Sequence, residues 1–529
     1  MSSSEMATKA SWDYNTDIVI AGAGAAGLAA SIEAVDNGAS VILIDENMDV
    51  GGRAILSGGF VNVGGGSSLQ KKLGIQDSPD LVFSDLTDPN KVGYRYNDRE
   101  LVRAFADNVS SLCDWLMENG VVLSKDFMAL EPLWYQMGDG ESVARRTSCL
   151  WNEKSTTRSP APLAMRRTPS GETSSGAGLT RPLEESARKK GVQILLRHKL
   201  RSIIKDTNSG KIVGIVSEYN GKDVTIRSKD VIIATGGSGS NVHFRRIFDP
   251  RLTEEYVEVG EPWSYQTGDG EIAAMTLGAS LWGTANQTTE WGVKFLTRSY
   301  IGCKYSLGPG RTWEPTSPVF ALARATGLPI KDYQDVIFVN QIGVRFWNEL
   351  DSSSGFLNAA LAPNGGGSSN GGGPIWAIFD SDAVKRENWI TKPPHVDTDG
   401  YFFSGNTFAE LAGNIKNQHQ KEPMPFNALE ATIRKYNSYV EAGMDEDFGK
   451  PVPKYKIERP PFYAAWATPT VCDTLTGLRI NSRCEVLDMN GKVIQGLYCA
   501  GESSGGFSQH GLSRAMVQGR IAGKNAANQ

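Results

Sequence analysis

The chain has no run of about 18 apolar residues that could cross a bilayer. Its first residues, Met1 to Asp13, are polar and hold no apolar leader core. Long basic runs are absent too, and a net charge of −5 with a pI near 5.8 leaves no electrostatic footprint for nucleic acid or an anionic membrane. Neither nucleic acid nor stable membrane insertion is expected. Cysteine is scarce: six residues (Cys113, Cys149, Cys303, Cys472, Cys484 and Cys499), none spaced as CxxC or CxxCH. That speaks against zinc, iron–sulfur and c-type haem sites and against a disulfide framework, so no metal is expected and the thiols read as reduced in a cytoplasmic protein. Histidine is scarcer still, with five residues. At 529 residues the chain exceeds what one hydrophobic core supports, which predicts two domains.

Glycine, by contrast, is abundant and placed with purpose. Thr16-Asp-Ile-Val-Ile-Ala-Gly22-Ala-Gly24-Ala-Ala-Gly27 reads as a buried strand turning through glycines into a helix, and Val41-Ile-Leu-Ile-Asp45 reads as the next strand. Gly22 permits the tight turn, Gly24 lets backbone approach a pyrophosphate, and Gly27 allows close helix–strand packing. The helix N-terminus can then receive phosphates, and Asp45 can accept hydrogen bonds from ribose hydroxyls. A second glycine-rich loop, Gly51-Gly-Arg53-Ala-Ile-Leu-Ser57-Gly-Gly59, suggests backbone lying against something flat or anionic.

Further along, Asn97 to Met117 has helical spacing of apolar residues with Asn97 or Asp98 as N-cap, and residues 136–175 read as a polar surface excursion. Leu179 to Lys190 reads as a helix. Short strands at hairpin-like spacing follow, leading into Asp230-Val-Ile-Ile-Ala234-Thr-Gly-Gly237. After Thr267-Gly-Asp269-Gly270 the composition shifts toward Trp, Tyr, Pro and Gly, and strand–helix alternation returns near the end with Gly496-Leu-Tyr-Cys-Ala-Gly501-Glu502 and a helix over Leu512–Ala527. The reading is an α/β chain: a Rossmann-like dinucleotide-binding domain (1–281 and 452–529) interrupted by a smaller α+β capping domain (282–451).

Together these landmarks, with Val339-Asn340, Gly343-Val-Arg345-Phe346, Asn348-Glu349, Pro461-Phe-Tyr-Ala464 and Gly519-Arg520-Ile-Ala-Gly523, resemble the flavoprotein family of fumarate reductase, succinate dehydrogenase and 3-ketosteroid Δ1-dehydrogenase over nearly the whole chain. The resemblance implies non-covalent FAD and a small-molecule substrate held between the two domains. Hydride then moves between flavin N5 and one carbon of a CH–CH pair, while a protein group handles the proton on the neighbouring carbon. By family position Asp45 holds the adenosine ribose, Glu502 the ribityl chain, the Leu200 backbone the adenine, and Ser57, Gly58 and Gly59 the flavin ring. Gly22, Gly24, Ala25, Ala26, Glu46, Gly52, Arg53, Ala54, Ala234, Thr235, Gly236, Asp269, Gly501, Leu512 and Ser513 complete the implied cofactor contacts.

The reductase branch of that family grips a dicarboxylate with cations and imidazoles. Here Ser353 stands where the proton-donating arginine falls, Glu290-Trp291 replaces a His-Pro, and the loop before the last helix shortens to Phe507-Ser-Gln-His510-Gly511. Without the clamp, unpaired substrate charges are costly to bury. The ketosteroid dehydrogenase branch matches better through Pro469 to Arg479, although its catalytic tyrosine also falls at Ser353, and an unactivated serine hydroxyl is a poor base. The proton is then expected at Tyr135 or His510, with Tyr300, Tyr305 and Tyr463 as further candidates, and the ketone oxygen at the amides of Gly511 and Leu512. The expectation is α,β-desaturation of a saturated, cyclic ketone, with a quinone, oxygen or a carrier protein as electron acceptor. The alternatives are reduction of an activated C=C bond, as in fumarate or urocanate reductases, and a flavin-binding protein without turnover.

Overall fold

The computed structural model describes residues 12–90, 94–128, 143–151, 161, 165–283, 293–296, 298–308, 311–351, 354–362, 370–420, 422–509 and 511–529. From the N-terminal side, β1 (Ile18–Ala21) is wholly buried and leads into α1 (Ala25–Asp36), then β2 (Val41–Asp45). The strand β3 (Phe60–Asn62) comes next, followed by α2 (Arg99–Glu118), capped by the Asp98 side chain, and β4 (Arg146–Ser148). Helix α3 (Ala177–Lys189) precedes β5 (Gln193–Leu196), β6 (Lys199–Lys205), β7 (Ile212–Tyr219), β8 (Lys222–Arg227) and β9 (Asp230–Ile233). Then come α4 (Asp269–Met275), β10 (Ile337–Val339), β11 (Trp376–Phe379), β12 (Phe402–Gly405), β13 (Phe462–Trp466), β14 (Glu485–Leu487), β15 (Val493–Cys499) and α5 (Leu512–Ala527).

The main sheet runs β14-β15-β9-β1-β2-β5, parallel except for the antiparallel edge strand β14. Burial on both faces explains why β1, β2 and β9 read as continuous apolar runs rather than alternating ones. Strands β6, β7 and β8 form an antiparallel meander, but β5 leaves the expected hairpin series and pairs parallel with β2, Leu43 opposite Ile194.

Glycine decides how the last helix joins this sheet. A Cβ at Gly519 would lie 2.3 Å from the Ala26 carbonyl oxygen, and one at Gly523 2.3 Å from that of Ala30. The matching four-residue steps set α5 parallel to α1 at backbone contact, so both N-termini open at the same end of the sheet.

A second sheet, β10-β11-β13-β12, is antiparallel throughout. Period-two alternation divides its residues between two cores: Ile337, Trp376, Ile378 and Ala464 pack with Leu429 and Ile433, while Phe338, Phe379 and Ala465 pack with Phe346 and Phe356. Its strand β13 lies beyond residue 452, the expected return point, so the chain completes the second sheet before it comes back to the first. Another departure concerns the stretch expected at the surface. Arg145, Thr147, Ser148 and Cys149 are buried, with β4 paired to β3 and Arg145 ion-paired to Asp77 at 2.9 Å and Asp85 at 2.5 Å. Polar residues tolerate burial when their charges are matched, a fact composition does not register.

Candidate active site

One cavity of about 1270 Å³ opens where the strand ends of the main sheet meet both helix N-termini and the underside of the second sheet's connections. Gly22 closes the β1–α1 turn at φ 104°, with its α-carbon hydrogen so close to Ala234 that a Cβ would stand 2.2 Å from that carbonyl oxygen. Gly24, the N-cap of α1, has no side-chain cap and no heavy atom within 4 Å of where a Cβ would project. The α1 amides thus face open space in the cavity, and no acidic residue sits in the first turn to neutralise them. At α5 the pattern repeats: Gly511 is the N-cap at φ 110°, with no side-chain cap and no first-turn acid, and Leu512 and Ser513 line the same cavity.

Asp45 ends β2 with each carboxylate oxygen taking one backbone N–H, Ala23 at 2.7 Å and Asn47 at 2.8 Å. Two acceptor sites per oxygen exceed those two bonds, leaving capacity toward the cavity. Burial pushes this carboxyl up to about 6, against the pull of those two donors. Beside it, Lys199 bridges Glu46 and Asp269, each at 2.7 Å, and His198 stacks on Tyr219. Leu200 follows on the same strand.

On the cavity wall Arg53 serves three carboxylates: Glu258 at 2.7 Å, Glu502 at 3.3 Å and Asp473 at 3.7 Å. Burial pushes Glu258 and Glu502 above the ordinary carboxylate range, with Arg53 pulling the other way. The Arg514 guanidinium adds a second buried positive charge that pulls Glu502 down as well.

Every expected cofactor residue lines this cavity except Gly59. Its glycine answers to packing instead, since a Cβ would meet the Ser175 carbonyl oxygen at 2.4 Å. Gly511 lines the cavity as expected, whereas Tyr135 and His510, together with Ser353, Glu290 and Trp291, lie outside the described residues. Tyr300, Tyr305 and Tyr463 do not line it, and Tyr463 stacks between Phe379 and Phe402 as a packing residue. Among the described residues the tyrosines on the wall are Tyr94, Tyr265 and Tyr333, and Tyr333 donates its hydroxyl to the Arg298 carbonyl.

Sequence reasoning missed most of the wall opposite the nucleotide end. Arg146, Arg166 and Arg311 all reach it, so cations absent from the family positions arrive from other segments. Arg146 and Arg166 both lie against the Phe60 ring, at 4.5 and 5.5 Å from its centre. Gln509 is 4% exposed, and its Oε1 has no hydrogen-bond partner. The arginine-rich composition of residues 136–175 was the available signal, hidden by the assumption that polar means exposed.

The cavity fits FAD on its own features: two uncapped helix N-termini, an open approach at Gly24, and a carboxylate with spare acceptor capacity at the end of β2. No helix among the described residues is long and apolar enough to cross a membrane. The family described as FAD binding domain matches residues 17–515. Fumarate reductase (cytochrome) of Shewanella frigidimarina is 29% identical over 536 residues, 99% of this chain and 79% of that protein. Among solved structures, the open conformation of a flavocytochrome c3 fumarate reductase superposes with a TM-score of 0.68 at 25% identity, over 99% of this chain and 80% of that one. The 3-ketosteroid-Δ4-(5α)-dehydrogenase of Rhodococcus jostii RHA1, in complex with 4-androstene-3,17-dione, does so with a TM-score of 0.59 at 24% identity over 99% of both chains. The chain therefore belongs to the FAD binding domain family and is an FAD-dependent oxidoreductase acting on carbon–carbon bonds.

Proposed function

We propose that this enzyme desaturates a saturated, cyclic ketone at its α,β bond. The observation that carries the reading is the bare N-terminus of α5, whose first-turn amides face the cavity with neither a capping side chain nor an acid to occupy them. Such amides stabilise an oxygen that gains negative charge as the neighbouring C–H bond ionises; one well-placed donor of this kind is worth about 3–4 kcal/mol in other enzymes. The amides of Gly511 and Leu512 hold the ketone oxygen, and Tyr135 or His510 takes the α proton. The electron pair of the Cα–H bond enters the enolate and then forms the Cα=Cβ bond as hydride leaves the β carbon. Bound FAD supplies the acceptor for that hydride. Two electrons leave the protein afterwards to a quinone, oxygen or a carrier protein. Asp45, Glu502 and the α1 amides anchor the cofactor.

Anaerobic mixing of the FAD-loaded enzyme with saturated cyclic ketones tests this: the flavin absorbance bleaches and the corresponding enone accumulates. Flavin that stays oxidised with every ketone, while reduced enzyme is reoxidised by fumarate or acrylate, overturns it. That second outcome belongs to the reverse reading, reduction of an activated C=C bond bearing a carboxylate. The arginines on the chamber wall and the similarity to a fumarate reductase favour it as the alternative.

A further inference from the structure

We infer that Arg146 is the cationic half of the oxygen-binding site, its guanidinium meeting the same substrate oxygen as the α5 amides; this rests on the ketone reading above. Strands β3 and β4 carry the argument. Their antiparallel register sets Asn62 opposite Arg146 and Phe60 opposite Ser148, so Phe60, Asn62 and Arg146 project from one face of the ribbon. That face is the cavity wall. On its other side Asn62 donates its N–H to the Ser513 hydroxyl, 2.7 Å away, in the first turn of α5. Arg146 is therefore one strand removed from the helix N-terminus, well within the reach of an arginine side chain.

Three features mark the guanidinium as held for a ligand. It has no ion-pair partner among the described residues, unlike Arg145 beside it, which is matched to Asp77 and Asp85. It rests on the face of Phe60, 4.5 Å from the ring centre, which fixes its position without using its N–H donors. Gln509, two residues before the α5 N-cap, is buried on the same cavity with an amide oxygen that no protein donor meets, so the wall beside the cation keeps an acceptor for a donor on a ligand. A half-buried cation and a helix N-terminus on neighbouring parts of one cavity wall is an arrangement for an oxyanion. As the base removes the α proton, the electron pair drawn toward the carbonyl places that charge on the substrate oxygen. When hydride leaves the β carbon it carries that charge away, the C=O bond is restored and the Cα=Cβ bond forms.

Phenols mimic such an enolate in shape and charge, and a bound phenolate stacked on oxidised flavin gives a long-wavelength charge-transfer absorption. Titration of the FAD-loaded enzyme with 4-chlorophenol is expected to produce that band. In Arg146→Met the dissociation constant rises roughly 10- to 100-fold and the band is lost, as fits removal of a charged hydrogen bond. Arg146→Lys keeps part of both. Phe60→Leu, which leaves the guanidinium in place but removes its support, falls between wild type and Arg146→Met and serves if Arg146→Met fails to fold. A wild-type band that persists with unchanged affinity in the folded Arg146 or Phe60 variants overturns the assignment of Arg146 and leaves the ketone reading standing. A wild-type holoenzyme that binds no phenol, and is bleached by no ketone, overturns both.

Discussion

The two ends of the cavity are built from different materials. At the end proposed for the nucleotide most features are backbone, glycine turns and helix amides beside the Asp45 carboxylate, and many of them lie in the β1–α1–β2 unit and its glycine-rich sequel. At the substrate end they are side chains gathered from remote segments, as when Asn62 reaches Ser513 across 451 residues of sequence. A backbone site accepts one dinucleotide chemistry and admits almost no substitution, whereas a side-chain site can change its ligand by exchanging a few residues. Arg53 ties together Glu258, Asp473 and Glu502, drawn from segments far apart in the chain.

Substitutions that separate the two ends sharpen this contrast. The largest effect belongs to Gly22→Ala, where a Cβ 2.2 Å from the Ala234 oxygen at φ 104° forces apart the turn and the adjoining strand. It is expected to cost more than about 4 kcal/mol, read as failure to recover folded protein or as a collapsed unfolding midpoint. Arg53→Met follows, at about 3–5 kcal/mol in urea unfolding, because it strands the buried Glu258 carboxylate; adding Glu258→Gln recovers part of the loss.

Gly24→Ala breaks the link between folding and cofactor. With nothing within 4 Å of the new Cβ and an ordinary φ of −77°, unfolding of the apoprotein shifts by no more than about 0.5 kcal/mol. FAD affinity by equilibrium dialysis falls about 100-fold, or about 2.7 kcal/mol, because the methyl occupies the path of the pyrophosphate. An unchanged affinity would remove Gly24 from the site.

The smallest effect is a pH dependence. Burial raises the Asp45 carboxyl to about 6, and protonation turns one acceptor oxygen of this proposed ribose ligand into a donor, so FAD affinity is expected to weaken as pH falls through that value, by up to tenfold per unit. Asp45→Asn binds more weakly at neutral pH and shows no such slope. In the apoprotein the sign reverses. The folded carboxyl holds its proton more tightly than the unfolded one, so its contribution to stability is greatest below the ordinary carboxylate range and is lost as pH rises to about 6.

Legibility in the sequence followed the same division. The β1–α1–β2 unit, α2 with its Asp98 cap, and α5 over Leu512–Ala527 were readable because local spacing of glycines, caps and apolar residues determines them. Strand β5 was misread as part of a hairpin because a four-residue apolar strand carries no record of its neighbour. Arg145 and Arg146 were read as surface because nothing near them in sequence announces Asp77, Asp85 or Phe60. Tyr463 looked as eligible as Tyr300 and Tyr305 until its stacking on Phe379 showed it spent on packing.

By itself the sequence determined the glycine turn after β1 and the acid that ends β2, since each is written in residues a few positions apart whose backbone preferences are local. Only the tertiary structure decided that α5 lies parallel to α1 with both N-termini on one cavity, and that Arg146, Phe60 and Gln509 share its far wall. Those relations depend on which surfaces are buried against each other across hundreds of residues, and packing of that range leaves no periodic trace along the chain.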